Sequence, residues 1–537
     1  MKKILLLSFL LTQIVNAQID RPKLVVGIVV DQMRNEYLYR FNDDFGKDGF
    51  KRLMKNGFVY NNMQFNYMPT YTGPGHSSVY TGTTPMYHGI VGNDFIVKQG
   101  YREMYCAQDD SVHVLGVAAV PTEGAMSPKN LLTTTVTDEL KLATNFEGKV
   151  IGMSIKDRGA ILPAGHFADF AYWLSDSGNF ISSSFYGDAL PEWVDNFNAQ
   201  KHYETYLKKG WQLLKDAGEY NESLTDSNPY EAKIFGVLDP IFPYNLWQGY
   251  ETIGARLIKV TPYGNDILLD FAKETIEHEQ LGQDDVTDFL AISFSSTDYI
   301  GHAMGARSME IQDTYLRLDN NMADLLHFLD KKVGKGQYVV FLTADHACAE
   351  NPQFLHDHKY EVSSVSFLAM KQQLMDFSVE NFGENFIKYY ENQNIYFDFE
   401  KIDSAGLDAA TVMQGVKTFL EEDAAIRRVY TQEEILNPSV VDPLLQAISR
   451  GYNTKLSGEL VILYEPGYME YGSTGTTHGT PYGYDTGVPA LFYGWHIPKG
   501  NSAEAHYITE IAPTIAQLLH IMNPSGSEGK VLKEIVR

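Results

Sequence analysis

The 537-residue sequence predicts an α/β fold in which a central, mostly parallel sheet is flanked by helices. Three observations predict it. Short β-branched, apolar runs recur along the chain, each closed by a polar loop. Helical patterns alternate with these runs, and the chemically unusual polar residues fall just after them.

In chain order the runs are Leu24 to Val30, Lys149 to Ile155, Phe289 to Ser295, Tyr338 to Thr343 and Val488 to Tyr493. They are apolar along their length rather than alternating, the pattern of a strand covered on both faces, so each reads as a parallel strand. Asp313 to Leu329, after the third run, and Ile508 to Leu519, near the end, carry helical patterns. Two stretches rich in aromatic, Asn and Gly residues, near 169–247 and 351–471, read as insertions that cap the site. The second holds a helical piece, Ala409 to Leu420, followed by Glu421-Glu422-Asp423 as a solvated helix end. By length alone the chain would hold roughly three domains. No linker, low-complexity tract or internal repeat divides it, so residues 18–537 read as one domain with insertions.

At the start, Lys2 and Lys3 precede an apolar run from Ile4 to Leu11, and Val15-Asn16-Ala17 places small residues where a signal peptidase cuts. Residues 1–17 therefore read as a signal peptide, with the mature chain beginning at Gln18. The apolar run falls short of the ~20 residues that span a bilayer, and no later segment is long and apolar enough. No cysteine closely follows the cleavage site, which argues against a lipid anchor. The expectation is a soluble periplasmic or secreted protein, compatible with a monomer. Cys106 and Cys348 leave two options open, a single disulfide or plain packing. With 43 Lys and Arg against 68 Asp and Glu, the formal net charge of −25 argues against a nucleic-acid partner. An anionic substrate would then need a locally positive site, and metal ions are one way to build it.

The polar residues that close the strands are Asp31 after the first, Lys156 and Arg158 after the second, Asp298 and His302 after the third, and Asp345-His346 after the fourth. In open α/β sheets, ligands bind at the carboxyl ends of strands, so these residues converge on one crevice. Asp298 and His302 are spaced i, i+4, one helical turn apart on one face. His478, in Thr476-Thr477-His478-Gly479, adds an imidazole before the last strand. Carboxylates and neutral imidazoles suit zinc. Singly, each is more often a cap, a turn or a packed side chain; recurrence at successive strand ends is what carries weight. His356-Asp357-His358 resembles a metal cluster on paper but has no strand-end context, and is read as ordinary surface. A hydroxyl nucleophile is offered by Thr72 in Pro69-Thr70-Tyr71-Thr72-Gly73-Pro74-Gly75-His76, where Gly and Pro open a helix whose N-terminus favours a phosphate. Thr70 rivals it on spacing alone, and a plain N-cap is the bland alternative.

Together, Asp31, the Pro-Thr-x-Thr-x-Pro-x-His stretch, His88-Gly89-Ile90, Asn93, Asp298-x-x-x-His302, Asp345-His346 and Thr-His478-Gly resemble the alkaline phosphatase superfamily, in its nucleotide pyrophosphatase/phosphodiesterase-like branch with a threonine nucleophile. The resemblance runs in order from Lys23 to the C-terminus. It implies two zinc ions, one held by Asp298, His302 and His478, the other by Asp31, Asp345, His346 and the oxygen of Thr72. It also implies Thr72 as nucleophile, a covalent phosphothreonine intermediate, and Asn93 in contact with a phosphoryl oxygen. Lys156-Asp157-Arg158 resembles the Lys-x-Arg of phosphate-irrepressible alkaline phosphatases of the PafA type. A monoester carries an extra negative charge, which a Lys point charge and an Arg fork would favour, so small phosphate monoesters are the expected substrates. The alternative is a phosphodiesterase or nucleotide pyrophosphatase using the same metals. One departure is local: Cys348 and Asn351-Pro352 follow Asp345-His346 where the family pattern has a Gly and a Val, so the loop beyond those residues is expected to differ.

Overall fold

Strand Leu24–Val30 lies at the centre of an eleven-stranded sheet, and every one of its residues is buried. The structure, a computed structural model, describes residues 20–439 and 441–536. The expected signal peptide lies outside the described residues. On one side of the central strand runs Tyr338–Thr343; on the other, Asp288–Phe294, Val150–Ser154 and Phe170–Leu174 follow in order, all parallel to it. Their largely apolar sequence matches burial on both faces, since helices cover the sheet above and below. Helix Met309–Leu329 is capped by Ser308, whose hydroxyl accepts from the Ile311 N–H, and buries Leu318, Met322, Leu325 and Leu329. The Ile508 to Leu519 pattern resolves into a 3-10 turn, Ile508–Glu510, and helix Ile511–Leu518.

One strand departs from the sequence reading. The Val488 to Tyr493 run lies in Gly487–Gly494, which is antiparallel both to Tyr338–Thr343 and to Phe58–Gln64. An unbroken apolar run reports burial on both faces; it carries no information about direction, and this strand is buried from Val488 to Tyr493.

The stretch near 169–247 is not set apart from the sheet. Phe170–Leu174 and Phe180–Ser183 are strands of it, and Val194, Phe197 and Trp211 belong to the main hydrophobic core. The aromatic richness there is core material: Trp211 stacks on Tyr244, with 5.1 Å between ring centroids, and its indole N–H donates to Asp313 Oδ2 at 2.7 Å. Residues within 351–471 do build something of their own. Ile387–Glu391, Asn394–Phe397, Leu460–Tyr464 and Ile426–Thr431 form a four-stranded antiparallel sheet. Helices Phe367–Phe382 and Ala409–Glu421 contribute Leu374, Val416 and Leu420 to a core separate from the main one. Cys106 and Cys348 are both buried and free, so the disulfide option falls and packing stands. Among the described residues no helix is long and apolar enough to cross a membrane.

Candidate metal centre and active site

Asp31, Lys156, Asp298, His302, Asp345 and His346 sit where a strand of the main sheet gives way to a loop or helix. Asp31 follows the central strand directly, and Asp345-His346 follows Tyr338–Thr343 beside it. Asp298 and His302 occupy successive turns of helix Ser296–Met304, which starts just beyond strand Asp288–Phe294. His478 arrives on the loop before Gly487–Gly494. The result is one buried cluster: ligand atoms of Asp31, Asp345 and His346 lie within 4.8 Å of one another, as do those of Asp298, His346 and His478. His302 Nε2 lies 3.1 Å from Asp298 Oδ1. His346 faces both groups, 3.5 Å from Asp31 Oδ1 and with its ring stacked on that of His478 at 3.4 Å between centroids. The resemblance assigns His346 to the Asp31 group alone.

All three histidines are oriented in the same way. Nδ1 of His302 donates to the Thr476 carbonyl at 2.8 Å, that of His346 to Ala347 at 3.0 Å, and that of His478 to Thr70 at 2.7 Å. With the proton fixed on Nδ1, each Nε2 presents a lone pair to the carboxylates, the tautomer a metal ligand needs. Burial lowers the His346 pKa to about 3 and lowers that of His478, so both rings are neutral at ordinary pH. Burial, then the neighbouring Asp298 and Asp345 carboxylates, pushes Asp31 well up. Burial also works against charge on Asp298, but His302 and Lys156 outweigh it and hold that carboxyl low. Asp31 Oδ1 and Asp345 Oδ2 are buried without a hydrogen-bond partner among the described residues. Orphaned carboxylate oxygens facing neutral imidazole lone pairs are costly unless a cation joins them, and this donor set fits divalent ions of the zinc class.

Lys156 caps helix Asp157–Ala164 and reaches into the cluster, with Nζ 2.7 Å from Asp31 Oδ2 and 2.5 Å from Asp298 Oδ2. Burial opposes its charge, yet Asp298 and Asp31 more than compensate and raise its pKa. Arg158 Nη1 donates to the Tyr105 hydroxyl at 3.1 Å, and that hydroxyl donates to Asp157 Oδ1. Lys156 and Arg158 line one cavity of about 300 Å³ together with Tyr299, Trp173, Glu123 and Lys259.

Thr72 is the first residue of helix Thr72–Thr81, buried, with Oγ1 3.5 Å from His346 Nε2. The Gly73 N–H donates to Asn93 Oδ1 at 2.8 Å. His76, one turn along, donates from Nδ1 to the Thr72 carbonyl at 2.9 Å and accepts from Ser293 at 2.8 Å. The rival hydroxyl of Thr70 is engaged with the Thr480 carbonyl at 3.1 Å. His356-Asp357-His358 lies at an exposed helix end, where Asp357 accepts from the Tyr230 hydroxyl, and among the described residues it joins no ligand group.

The loop with the atypical Cys348 and Asn351 clamps the His478 segment. Ala349 N–H donates to Thr477, Thr476 Oγ1 donates to Ala349, and Asn351 Nδ2 donates to Gly475 at 2.8 Å. Beside it Glu350 accepts from both Arg34 and Arg307. Gln32 and Asp485 carried no signal in the sequence. Gln32, at φ 64°, donates from its backbone to Asp345 Oδ1 and from Nε2 to Asp298 Oδ1, bracing both carboxylates. Asp485 Oδ2 accepts from the Gly479 and Thr480 N–H groups and the Thr480 hydroxyl, fixing the turn beyond His478.

Residues 25–485 match the family model for type I phosphodiesterase / nucleotide pyrophosphatase. A protein of Elizabethkingia meningoseptica, alkaline phosphatase PafA, is 42% identical over 96% of this chain and 95% of its own. A protein of Myroides odoratus that carries the name calcium-transporting ATPase is 44% identical over 97% of this chain and 95% of its own. The crystal structure of wild-type PafA superposes with a TM-score of 0.93, covering 97% of this chain and 100% of that one. The chain therefore belongs to the type I phosphodiesterase / nucleotide pyrophosphatase family, on the branch that includes the alkaline phosphatase PafA.

Proposed function

We propose that this protein is an alkaline phosphatase that hydrolyses small phosphate monoesters through a covalent intermediate on Thr72, in a centre holding two zinc ions. Asp298, His302 and His478 hold one ion; Asp31, Asp345, His346 and Thr72 hold the other. Zinc, when bound, lowers the pKa of a coordinated oxygen and stabilises charge on the attacking and leaving oxygens.

The chain's own residues supply the rest. Thr72 Oγ1 is the attacking atom, at a helix N-terminus where free N–H groups and the dipole favour an anion. His76 holds the Thr72 carbonyl and so fixes the backbone from which the hydroxyl projects. The Gly73 N–H holds Asn93 Oδ1, so the Asn93 amide nitrogen is the group that donates to a phosphoryl oxygen. Lys156 and Arg158 bring positive charge to the remaining equatorial oxygens, where charge is spread in the transition state. The Thr72 Oγ1–P bond forms as the P–O bond to the alcohol breaks, the alcohol leaving with a proton from water; a second water then attacks phosphorus, releasing inorganic phosphate and restoring the Thr72 hydroxyl. Residues 18–537 are read as one domain whose 351–471 insertion caps this centre, exported to the periplasm or medium after loss of residues 1–17.

The observation that carries the monoester reading is that Lys156 and Arg158 line one cavity and Lys156 touches carboxylates of both proposed metal groups. A diester has one fewer negative charge to meet them. The test compares an aryl phosphate monoester with its methyl diester, for wild type and for Lys156→Ala/Arg158→Ala. Monoester preference that collapses in the double variant is expected. A diester preference untouched by the substitutions would make the protein a phosphodiesterase.

A further inference from the structure

A second group of ligand-type side chains lies at the edge of the main sheet. The short strand His506–Tyr507 pairs in parallel with Phe58–Gln64, and Glu534 from the C-terminal segment reaches the same place. Ligand atoms of Glu504, His506 and Glu534 all fall within 4.8 Å of one another.

The histidine is what separates this group from an ordinary acidic patch. Its side chain is 13% exposed, and Nδ1 lies 2.8 Å from Glu510 Oε2, so the proton is donated there. Nε2 is fully buried and has no hydrogen-bond partner among the described residues; Glu534 Oε1 is 3.8 Å away, too far for one. The Tyr60 hydroxyl donates to Glu534 Oε2 at 3.2 Å, leaving Oε1 turned toward the imidazole. Tyr60 also packs its ring edge-on against His506, 4.9 Å between centroids, which fixes the plane of the imidazole. A lone pair on Nε2 facing the Glu534 carboxylate, with a Glu504 oxygen in the same group, is an array of acceptors with no donor. A carboxylate holding Nδ1–H of a histidine whose Nε2 faces a further carboxylate is the arrangement that orients metal-binding imidazoles.

We propose that Glu504, His506 and Glu534 bind one divalent transition-metal ion, with Glu510 as the residue that orients the imidazole. One nitrogen and two carboxylates, completed by water, suit zinc or manganese; calcium and magnesium take all-oxygen shells, and no thiolate is present to select copper(I). The bound ion ties the C-terminal segment to the edge of the sheet. The site is independent of the buried centre and of what that centre does.

The test uses the full chain. Crystals soaked in Zn2+ or Mn2+ are expected to show an anomalous difference peak about 2.0–2.2 Å from His506 Nε2. Metal content is expected to fall by one equivalent per chain in His506→Ala. The part of the metal-induced rise in thermal midpoint that this ion contributes is lost with it, while the part owed to the buried centre remains. Glu504 is exposed, so Glu504→Gln keeps the fold and weakens the site at least ~10-fold with phosphate-ester hydrolysis unchanged; it serves if His506→Ala does not fold. Crystals with a peak in the buried centre and none at His506, or equal metal content in wild type and both variants, would overturn the proposal.

Discussion

Gly75 lies in the interior of helix Thr72–Thr81, where replacing Gly by Ala ordinarily stabilises a helix by ~0.5–1 kcal/mol. Here the opposite is predicted. A Cβ at this position would stand 2.7 Å from the Asp345 carbonyl carbon and 2.8 Å from Asp345 Cβ, and closer still to the carbonyl oxygen. Carbon atoms pack best at about 3.5–4.0 Å, so either the helix or the Asp345 loop must retreat by roughly 1 Å. The loop has little room to do so: Asp345 Oδ1 is held by the Gln32 N–H, and the Ala347 N–H donates to Asp485 at 2.8 Å. The displacement therefore opens the distance between Thr72, on the helix, and the Asp345-His346 donors. A misplacement of about 1 Å at reacting atoms costs on the order of 100-fold in rate. Overpacking costs ~1–3 kcal/mol of stability in addition. Gly75→Ala should thus lose about 100-fold in kcat/KM on an aryl phosphate and melt earlier than wild type. Gly218, where an added methyl meets nothing, provides the control, and Gly218→Ala should leave both readouts unchanged. A Gly75→Ala enzyme as active as wild type and more stable would refute the close contact between helix and ligand loop.

Thr72→Ala should abolish turnover while keeping metal content near that of wild type, because the carboxylate and imidazole donors remain; loss of metal with retained turnover would remove Thr72 as nucleophile. Asn93→Ala should lower kcat by about 100-fold, the usual cost of one transition-state donor, with little change in thermal midpoint; unchanged kcat would leave Asn93 a purely structural partner of Gly73. Chelation should lower the thermal midpoint along with activity, since the orphaned Asp31 and Asp345 oxygens are left facing each other; differential scanning calorimetry before and after metal return checks it. Asp266 offers a pH test remote from the centre: burial, resisted by a hydrogen bond from Asn321 at 2.9 Å, pushes its carboxyl up to about 6. Its folded value lies above the unfolded one, so the stability it contributes is full below about pH 4 and is lost as pH rises through 6. The difference corresponds to ~3 kcal/mol at most. Asp266→Asn, which keeps an acceptor for Asn321, should therefore flatten the fall in urea stability between pH 4 and 7, and parallel pH profiles for the two proteins would rule the effect out.

How much of this was legible in the sequence follows from what each pattern physically encodes. An apolar run encodes burial, so the central strands could be placed nearly to the residue: Leu24–Val30 and Tyr338–Thr343 have the bounds read from the sequence. The same pattern is silent on direction, so the Val488 to Tyr493 run reads as parallel although its strand pairs antiparallel with Tyr338–Thr343. Aromatic richness likewise reports apolar surface needing cover without saying which core supplies it. Trp211 and Phe197 fill the main core, whereas Leu374 and Leu420 fill a separate one, and composition does not distinguish the two cases.

The site divides along the same line. Asp31, Asp298 and Asp345 could be singled out because strand ends of a parallel sheet are convergent by construction, so a one-dimensional position implies a three-dimensional neighbourhood. What orients those groups has no such shortcut. The partners of His302, His346 and His478 are backbone carbonyls, which every residue possesses, so nothing in Thr476, Ala347 or Thr70 advertises the role. Gln32 braces two carboxylates contributed from 266 and 313 residues away, a relation that exists only once the strands are adjacent. Ligand-type side chains are thus visible in a sequence because their chemistry is rare, while the groups that fix tautomer and angle are hidden because theirs is common. The Glu504, His506 and Glu534 group shows the converse limit. Its residues follow no buried strand end, so strand-end convergence could not flag them, and it is the buried, unpartnered Nε2 of an imidazole whose Nδ1 is held by Glu510 that distinguishes the group from any other acidic edge.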